Sequence, residues 1–309
     1  MPAQVHVFAP GSVGNVGPGL DILGLAVGGA GDEVRAERHP GGGVVIEDPG
    51  HPALPADARA HTSGIAAAEV LRAAGVTFGL RLWVRKGLPL AGGQGGSAAS
   101  AVAGALAANL LLDRPLPTEA LILAALEAES IVAGRHADNI VAILLGGLVL
   151  IRSMQPLDLV RLPVPAGLRV VLAHPDRSLK TREGRAVLPA SVPRDVALHQ
   201  AAQVGALVAA AYSGDLALLG RAIDDRIAEP ARAPLIPGFR EAKAAALTAG
   251  ALGASISGAG PTTFALAGDL ACAQAVAAAM EAAFASRAIT SSVRVCEVDR
   301  VGARVEIDP

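Results

Sequence analysis

Cysteine, lysine and aromatic residues are all scarce in this 309-residue chain, and each scarcity removes a class of function. Cys272 and Cys296 are the only cysteines, with no CxxC spacing and no histidine pair beside them. A disulfide scaffold and a thiolate zinc site are thereby excluded. Only Lys86, Lys180 and Lys243 stand among the 26 basic residues, so a reaction that needs a lysine has three candidates. Charge of either sign is not in excess: 26 Lys+Arg face 28 Asp+Glu, for a net charge of -2. Without a basic tract to neutralise a row of phosphates, nucleic acid is not the expected partner. The start, MPAQVHVFAPGS, lacks the charged opening and apolar run of a secretory signal. Residues 87–112 carry no charge, but the stretch opens on glycines and polar residues. What remains is shorter than the roughly 20 apolar residues that span a bilayer. The expectation is a cytoplasmic protein with no membrane segment.

Apolar residues and glycine are plentiful: 52% of the chain is hydrophobic and 36 residues are glycine. That composition is too apolar for disorder, and the length suits two domains. Alternating apolar positions predict strands at 4–8, 44–47 and 78–84, and apolar runs predict buried strands at 146–151, 168–174, 253–257, 262–267 and 292–298. Helical patterns fall at 63–74, 97–112, 119–132, 138–145, 196–212, 216–227, 239–249 and 270–286. The Pro-bounded stretch 175–193 reads as a long loop of the kind that forms lids. Strands and helices mix without strict βαβ alternation, so the class is α+β, with a domain boundary near 155 that divides the chain into 1–155 and 156–309.

Three glycine-rich segments stand out. The first, PGSVGNVGPGLDILG over 10–24, forces a specific backbone path and offers Asn15 and Asp21 for polar work; a tight structural turn explains it equally well. The second, Pro89-Leu90-Ala91-Gly92-Gly93-Gln94-Gly95-Gly96-Ser97-Ala98-Ala99, leads directly into an apolar helix. Glycines allow close backbone approach, and a helix N-terminus presents unpaired N–H groups, so this segment is a physical anion site suited to nucleotide phosphates. Ser97 adds a hydroxyl able to ligate Mg²⁺. Two standard phosphate motifs fail here. The formal GxGxxA match has no acidic residue ending a strand about 20 residues on, and no Gly-Lys pair exists for a Walker A loop. The third segment, GALGASISGAGPTTFAL over 250–266, reads as strand, glycine turn and strand, with Gly258 and Gly260 passing close to another backbone or a ligand.

Between the second and third segments lies a cluster of acidic and polar residues, 127–139. Glu127 and Glu129 sit about 200° apart on a helix, so at most one faces a nucleotide site. His136, Asp138 and Asn139 gather at the start of the next helix, where a plain N-cap is the simplest role for Asp138 or Asn139.

Taken together and in this order, the segments resemble the GHMP small-molecule kinases, and within them the homoserine kinases. The family patterns PxSANLGPGFDxLG, PLGxGLGSSAA and GALGAxLSGAGPTxFAL match the three segments, and the likeness runs from Val5 to about Val298. HADN at 136–139, TREGRAVLP at 181–189 and DRIAEPARAPLIP at 225–237 point to the homoserine branch. The resemblance implies a two-domain fold, a ribosomal protein S5 domain 2-like N-terminal domain and a ferredoxin-like C-terminal domain. It implies ATP and Mg²⁺ as cofactors, L-homoserine as substrate, O-phosphohomoserine for threonine synthesis as product, and a homodimer by family habit. It also implies roles. Ser97 and Glu129 would ligate Mg²⁺, and residues 89–99 would hold the triphosphate. Asn15, Asp21, His136 and Asn139 would orient the amino acid, with Arg185 and Arg232 on its carboxylate, and Asp138 is the nearest candidate for a general base. An ammonium needs an anion such as Asp21, and a carboxylate suits the planar fork of arginine better than lysine. With few aromatics, adenine falls to aliphatic and backbone contacts; with no Gly-Lys loop, phosphate falls to backbone amides, Mg²⁺ and arginine.

Several positions depart from the family pattern: Leu20, Gly96, Ala142, Ala228 and Ala231 replace Phe, Ser, Pro, His and Tyr, and His61-Thr62 stands where relatives often carry an adenine-side Asn. Two other readings stay open, a GHMP kinase acting on a mevalonate-like or sugar hydroxyl and a GHMP-fold ligand sensor without catalysis.

Overall fold

The structure, a computed structural model, describes residues 3–132 and 134–306. In chain order the first half holds β1 (Gln4–Gly14), β2 (Leu23–His39), β3 (Val44–Asp48), α1 (Thr62–Ala74), β4 (Gly79–Arg85), α2 (Gly96–Leu110), α3 (Thr118–Val132), α4 (Asp138–Leu145), β5 (Leu148–Met154) and β6 (Leu157–Leu162). There follow β7 (Arg169–Pro175), α5 (Thr181–Ala186), α6 (Arg194–Ser213), α7 (Leu216–Arg221), α8 (Ala228–Arg232), α9 (Phe239–Thr248), β8 (Gly253–Ile256), β9 (Thr263–Ala267), α10 (Leu270–Ser286), β10 (Ser291–Glu297) and the short β11 (Arg304–Val305).

The first sheet runs β11-β1-β2-β4-β3, with β5 pairing the start of β2 and β6 pairing β5; all pairs are antiparallel except β3–β4. The second is antiparallel in the order β10-β7-β9-β8. Alternation sets the faces. Val5, Val7 and Ala9 of β1, Val34 and Ala36 of β2, and Leu80, Leu82 and Val84 of β4 turn to one side, where α1 to α4 cover them. Each large side chain buried there contributes about 1.5–3 kcal/mol. The small residues of α2 have a steric reason: a Cβ on Gly104 would lie 2.3 Å from the Ser63 carbonyl oxygen of α1. The uncharged stretch that begins at Gly87 is thus a loop and an enclosed core helix, and among the described residues no helix is long and apolar enough to cross a membrane.

A second apolar cluster joins the sheets, with Val13, Leu23 and Leu25 packed with Val170, Leu172 and Phe264. A third holds α9 and α10 against the other face of the second sheet. The α+β class is as expected. The boundary placed near 155 falls at the tip of the β5–β6 hairpin; a division that keeps each sheet whole runs after Leu162 and returns β11 to the first sheet. Residues 1–2 and 307–309, which would bound the two halves, lie outside the described residues.

Several elements differ from the sequence reading, and β6 and β11 have no counterpart in it. The 17-residue β2 was not expected, because Gly28-Gly29-Ala30-Gly31 imitates a turn; Gly31 is required instead by close strand approach, its Cβ position lying 2.3 Å from the Ala9 carbonyl oxygen. The stretch read as a loop at 175–193 contains α5. The helix expected over 216–227 stops at Arg221 and restarts at Ala228, because the Asp225 carboxylate takes the N–H groups of Ile227, Ala228 and Glu229 at 2.8–3.0 Å.

Candidate active site

One cleft, with about 1120 Å³ of empty space, is lined by residues of all three glycine-rich segments together with the 127–139 and 181–185 stretches. β1 ends in a turn where Asn15, Val16 and Asp21 all take positive φ. Asn15 holds that turn: its N–H donates to Asp138 Oδ2 (3.0 Å), its Oδ1 accepts from the Asp21 N–H (3.1 Å) and its Nδ2 donates to the Gly258 carbonyl (3.1 Å). Asn15 lines the cleft, yet its polar groups are spent on fixing where Asp21 points. Gly14 must be glycine for a local reason, since a Cβ there would lie 2.6 Å from Asp138 Oδ2.

The second segment turns through Ala91, Gly93 and Gly95 with positive φ and enters α2. The α2 N-terminus has Gly95 as its cap, no side-chain cap and no acidic residue in the first turn, so its dipole and orphan N–H groups are left for an anion. Beside it Ser97 hydrogen-bonds Glu129, which α3 carries into the interior at 6% exposure, while Glu127 faces solvent and pairs with Arg135 at 3.3 Å. The expected opposition of the two glutamates holds. Burial pushes the Glu129 carboxyl up to about 7, reinforced by the charge of Asp138 and opposed by the Ser97 hydrogen bond and by Lys86. Its Oε1 is buried without a hydrogen-bond partner among the described residues.

At the other end of the cleft Arg185, from α5, forks onto Asp21 with Nη1–Oδ1 at 2.8 Å and Nη2–Oδ2 at 2.6 Å. Burial acts to raise Asp21, but the hydrogen bonds and charge of Arg185, with His136 and Arg232, hold it below the usual carboxylate range. Arg232 is 2% exposed; it donates from Nε to the Gly184 carbonyl and from Nη1 to that of Gly258, each at 2.9 Å. Among the described residues no ion pair holds it, and burial together with the charge of Arg185 lowers its pKa. His136 donates from Nδ1 to the Gly134 carbonyl at 2.7 Å, which fixes its tautomer.

Asp138 and Asn139 are not N-caps, because Ala137 occupies that position and no side chain caps α4. Asp138 instead accepts from the Asn15 N–H and, at 3.3 Å, from Asn139 Nδ2; Asn139 Oδ1 accepts from Ser12 at 2.8 Å. Burial raises the Asp138 pKa, with His136 opposing.

Pro89 to Gly93 and Gly95 to Ala98 line the cleft, whereas the Gln94 side chain turns away from it and Ala99 is buried behind. Sequence reasoning missed Lys86. It lines the cleft with its ammonium on Asp32, on the Gly96 carbonyl (2.9 Å) and on Ser100 (2.9 Å), so lysine does stand at this loop. Its rarity in the chain and its place three residues before Pro89 were the available signals. His61 and Thr62 reach the cleft, but His61 is the N-cap of α1: Nδ1 accepts from Ser63, and burial lowers its pKa. The Gly96 position has room for the family's serine, the nearest atom to a Cβ being Pro89 O at 3.4 Å.

Comparison with known proteins identifies the family. The family described as GHMP kinases N terminal domain matches residues 61–147, and GHMP kinases C terminal matches 207–286. The homoserine kinase of Chlorobium phaeovibrioides is 44% identical over 98% of this chain and 99% of its own. The crystal structure of homoserine kinase from Cytophaga hutchinsonii superposes with a TM-score of 0.94 at 42% identity, covering 99% of this chain and 98% of that one. L. major mevalonate kinase, in complex with R-mevalonate, shares the fold at a TM-score of 0.69 and 21% identity, covering 95% and 96%. Two family matches across the chain and these near full-length likenesses establish that the chain belongs to the GHMP kinases, in the homoserine kinase branch.

Proposed function

We propose that this chain transfers the γ-phosphoryl group of ATP to the side-chain hydroxyl of L-homoserine, with the glycine-loop end of the cleft holding Mg²⁺-ATP and the arginine end holding the amino acid. The observation that carries the reading is the meeting, in one cleft, of a helix N-terminus without a side-chain cap, beside Ser97 and the buried Glu129, with a separate cluster of Asp21, Arg185 and Arg232. Backbone N–H groups of residues 92–98 and the α2 N-terminus face the triphosphate. Leu54, Pro55, Pro89 and Leu90 supply an aliphatic wall for adenine, and no Phe, Tyr or Trp lines the cleft among the described residues.

The residues present fit Mg²⁺. The Glu129 Oε1 without a hydrogen-bond partner and the Ser97 hydroxyl are hard oxygen donors, and this cation is held by one or two carboxylates plus phosphate and water. When bound there, Mg²⁺ supplies positive charge to the phosphoryl oxygens.

The amino acid enters by exchange of partners. Its ammonium replaces Arg185 on Asp21, and its carboxylate replaces Asp21 on Arg185, with the buried Arg232 adding a second guanidinium. The homoserine hydroxyl oxygen then attacks the γ-phosphorus in line; the bond to the ADP oxygen breaks, and the hydroxyl proton passes to an oxygen of the transferred phosphoryl group and from there to solvent water. Both Asp138 oxygens are held by Asn15 and Asn139, which makes Asp138 a post for the substrate loop. Catalysis therefore rests on positioning and charge stabilisation.

The acidic-plus-guanidinium pattern suits a zwitterion better than mevalonate or a sugar, and a ligand sensor has no use for a buried, costly Glu129. An ADP-release assay across homoserine, mevalonate and galactose tests the reading: homoserine-dependent release is expected, and turnover of mevalonate but not homoserine overturns it.

A further inference from the structure

Gln94 sits in the middle of the glycine loop but does not look into the cleft. It is 4% exposed, and its amide connects the loop to the second sheet. Oε1 accepts from Arg294 Nη2 of β10 at 2.8 Å, and Nε2 donates to Thr262 Oγ1 at 3.2 Å. Thr262 Oγ1 donates in turn to the Gly92 carbonyl at 2.6 Å and lies 3.1 Å from His174 Nδ1 of β7. The other guanidinium nitrogen of Arg294 donates to the Gly28 carbonyl at 3.0 Å.

Proton counting gives this chain a single direction. Arginine only donates, so the Gln94 oxygen must face it and the amide NH₂ must face Thr262. The one hydroxyl proton of Thr262 goes to Gly92, so Thr262 accepts from both Gln94 and a neutral, Nδ1-protonated His174. Burial lowers the His174 pKa, in keeping with the neutral form. Two more anchors act on the same loop: Ser257 Oγ donates to the Gly93 carbonyl at 2.6 Å and the Ser12 N–H to the Gln94 carbonyl at 3.1 Å. The carbonyls of three successive residues, 92, 93 and 94, are therefore pinned. In a trans peptide the N–H points opposite to the preceding C=O, so these pins turn the N–H groups of 93, 94 and 95 away from the anchors.

We propose that Arg294, Gln94, Thr262 and His174 form a positioning relay by which the second sheet aims the loop's N–H groups at the nucleotide phosphates. This rests on the reading of the loop as the phosphate seat. None of the four touches the reacting atoms. They act through the loop backbone, so their loss falls on the nucleotide and spares the amino acid.

The test uses steady-state kinetics on the full chain, with KM for Mg²⁺-ATP and for homoserine measured separately. Thr262→Val should raise KM for Mg²⁺-ATP about tenfold while homoserine KM stays within about twofold, and Thr262→Ser should restore the wild-type value. Arg294→Met, on an edge strand, should shift the same constant in the same direction, and the double variant should be no worse than Thr262→Val, because both break one chain. Equal effects on both substrates, or a Thr262→Ser variant as impaired as Thr262→Val, would overturn the relay. If Thr262→Val does not fold, Arg294→Met carries the test alone, and an unmoved KM for Mg²⁺-ATP there overturns the proposal. Hydrogen exchange at amides 93–98 of the wild-type chain, with and without Mg²⁺-ADP, separates the two readings. No protection overturns the phosphate seat and the relay with it; protection beside unmoved KM values in the variants overturns the relay alone.

Discussion

At the glycine-loop end of the cleft, backbone N–H donors, Ser97 and a Lys86 already paired with Asp32 surround one buried carboxylate with an oxygen unpartnered among the described residues, whereas at the arginine end Asp21 and Arg185 already satisfy one another. The first end is fixed by main-chain geometry and holds an electrostatic strain: burial pushes Glu129 up to about 7, and Ser97 and Lys86 offset that only in part. The second is built from side chains on two elements, Asp21 in the β1–β2 turn and Arg185 on α5, and must give up a two-pronged ion pair before it can take a zwitterion. The contrast teaches that one ligand relieves a strain already present while the other only exchanges partners. The nucleotide end should therefore be sensitive to removal of single groups, and the amino-acid end to mismatch of charge and shape.

The largest break should come from Glu129→Ala, expected to lower kcat/KM by about 10³-fold at ordinary Mg²⁺. Glu127→Ala, on the solvated face, should stay within about twofold in the same assay; equal losses would refute the assignment of faces. Next comes Arg232→Lys. A buried fork on two carbonyls becomes a point charge, and homoserine KM should rise about 10²-fold with KM for Mg²⁺-ATP little changed. A matching rise in both constants would show that Arg232 supports the whole cleft and not one end of it.

The raised Glu129 pKa sharpens the comparison through pH. Its folded value of about 7 lies above the ordinary glutamate value, so the protonated form favours folding. That contribution is full below about pH 4.5 and is lost as pH rises through 7. The gap corresponds to about 3 kcal/mol. Glu129→Gln should accordingly raise the Tm of the ligand-free protein by on the order of 5 °C at pH 8 and hardly at all at pH 5. For catalysis the sign reverses, since the ionised carboxylate is the form that takes the cation. The kcat/KM for Mg²⁺-ATP should climb about tenfold per pH unit up to about pH 7 and then level. A flat profile from pH 5 to 8 would remove Glu129 from nucleotide binding. The smallest effect is structural: His61→Ala deletes the α1 cap and should cost about 1 kcal/mol in chemical denaturation, without a change in homoserine KM.

Much of the glycine-loop end was legible because its chemistry is local. Glycine spacing, a following apolar helix and the 200° separation of two glutamates are all properties of short windows, and they mark the loop before α2 and the buried face of α3 that carries Glu129; Gln94, inside that loop, and Ala99 do not line the cleft. The arginine end was legible only in its residue types. Asp21 and Arg185 are 164 positions apart, and no local pattern says that they pair when no substrate is present. Resemblance named them as partners of a ligand, not of each other. Lys86 was not legible as a loop residue because it belongs to no Gly-Lys motif and reaches the loop from the end of β4. Gly28 to Gly31 concealed the longest strand because glycine marks turns and close strand contacts alike, and only the packing of β1 distinguishes the two.

The central claim, one cleft with a nucleotide end and an amino-acid end that respond separately, is tested most directly by homoserine-dependent ADP release measured over both substrates for wild type, Ser97→Ala and Asp21→Asn. The account predicts that Ser97→Ala impairs turnover and Mg²⁺-ATP use with homoserine KM within about twofold, and that Asp21→Asn does the reverse. Absence of homoserine-dependent ADP release in the wild type, or a crossed pattern between the two variants, would contradict it.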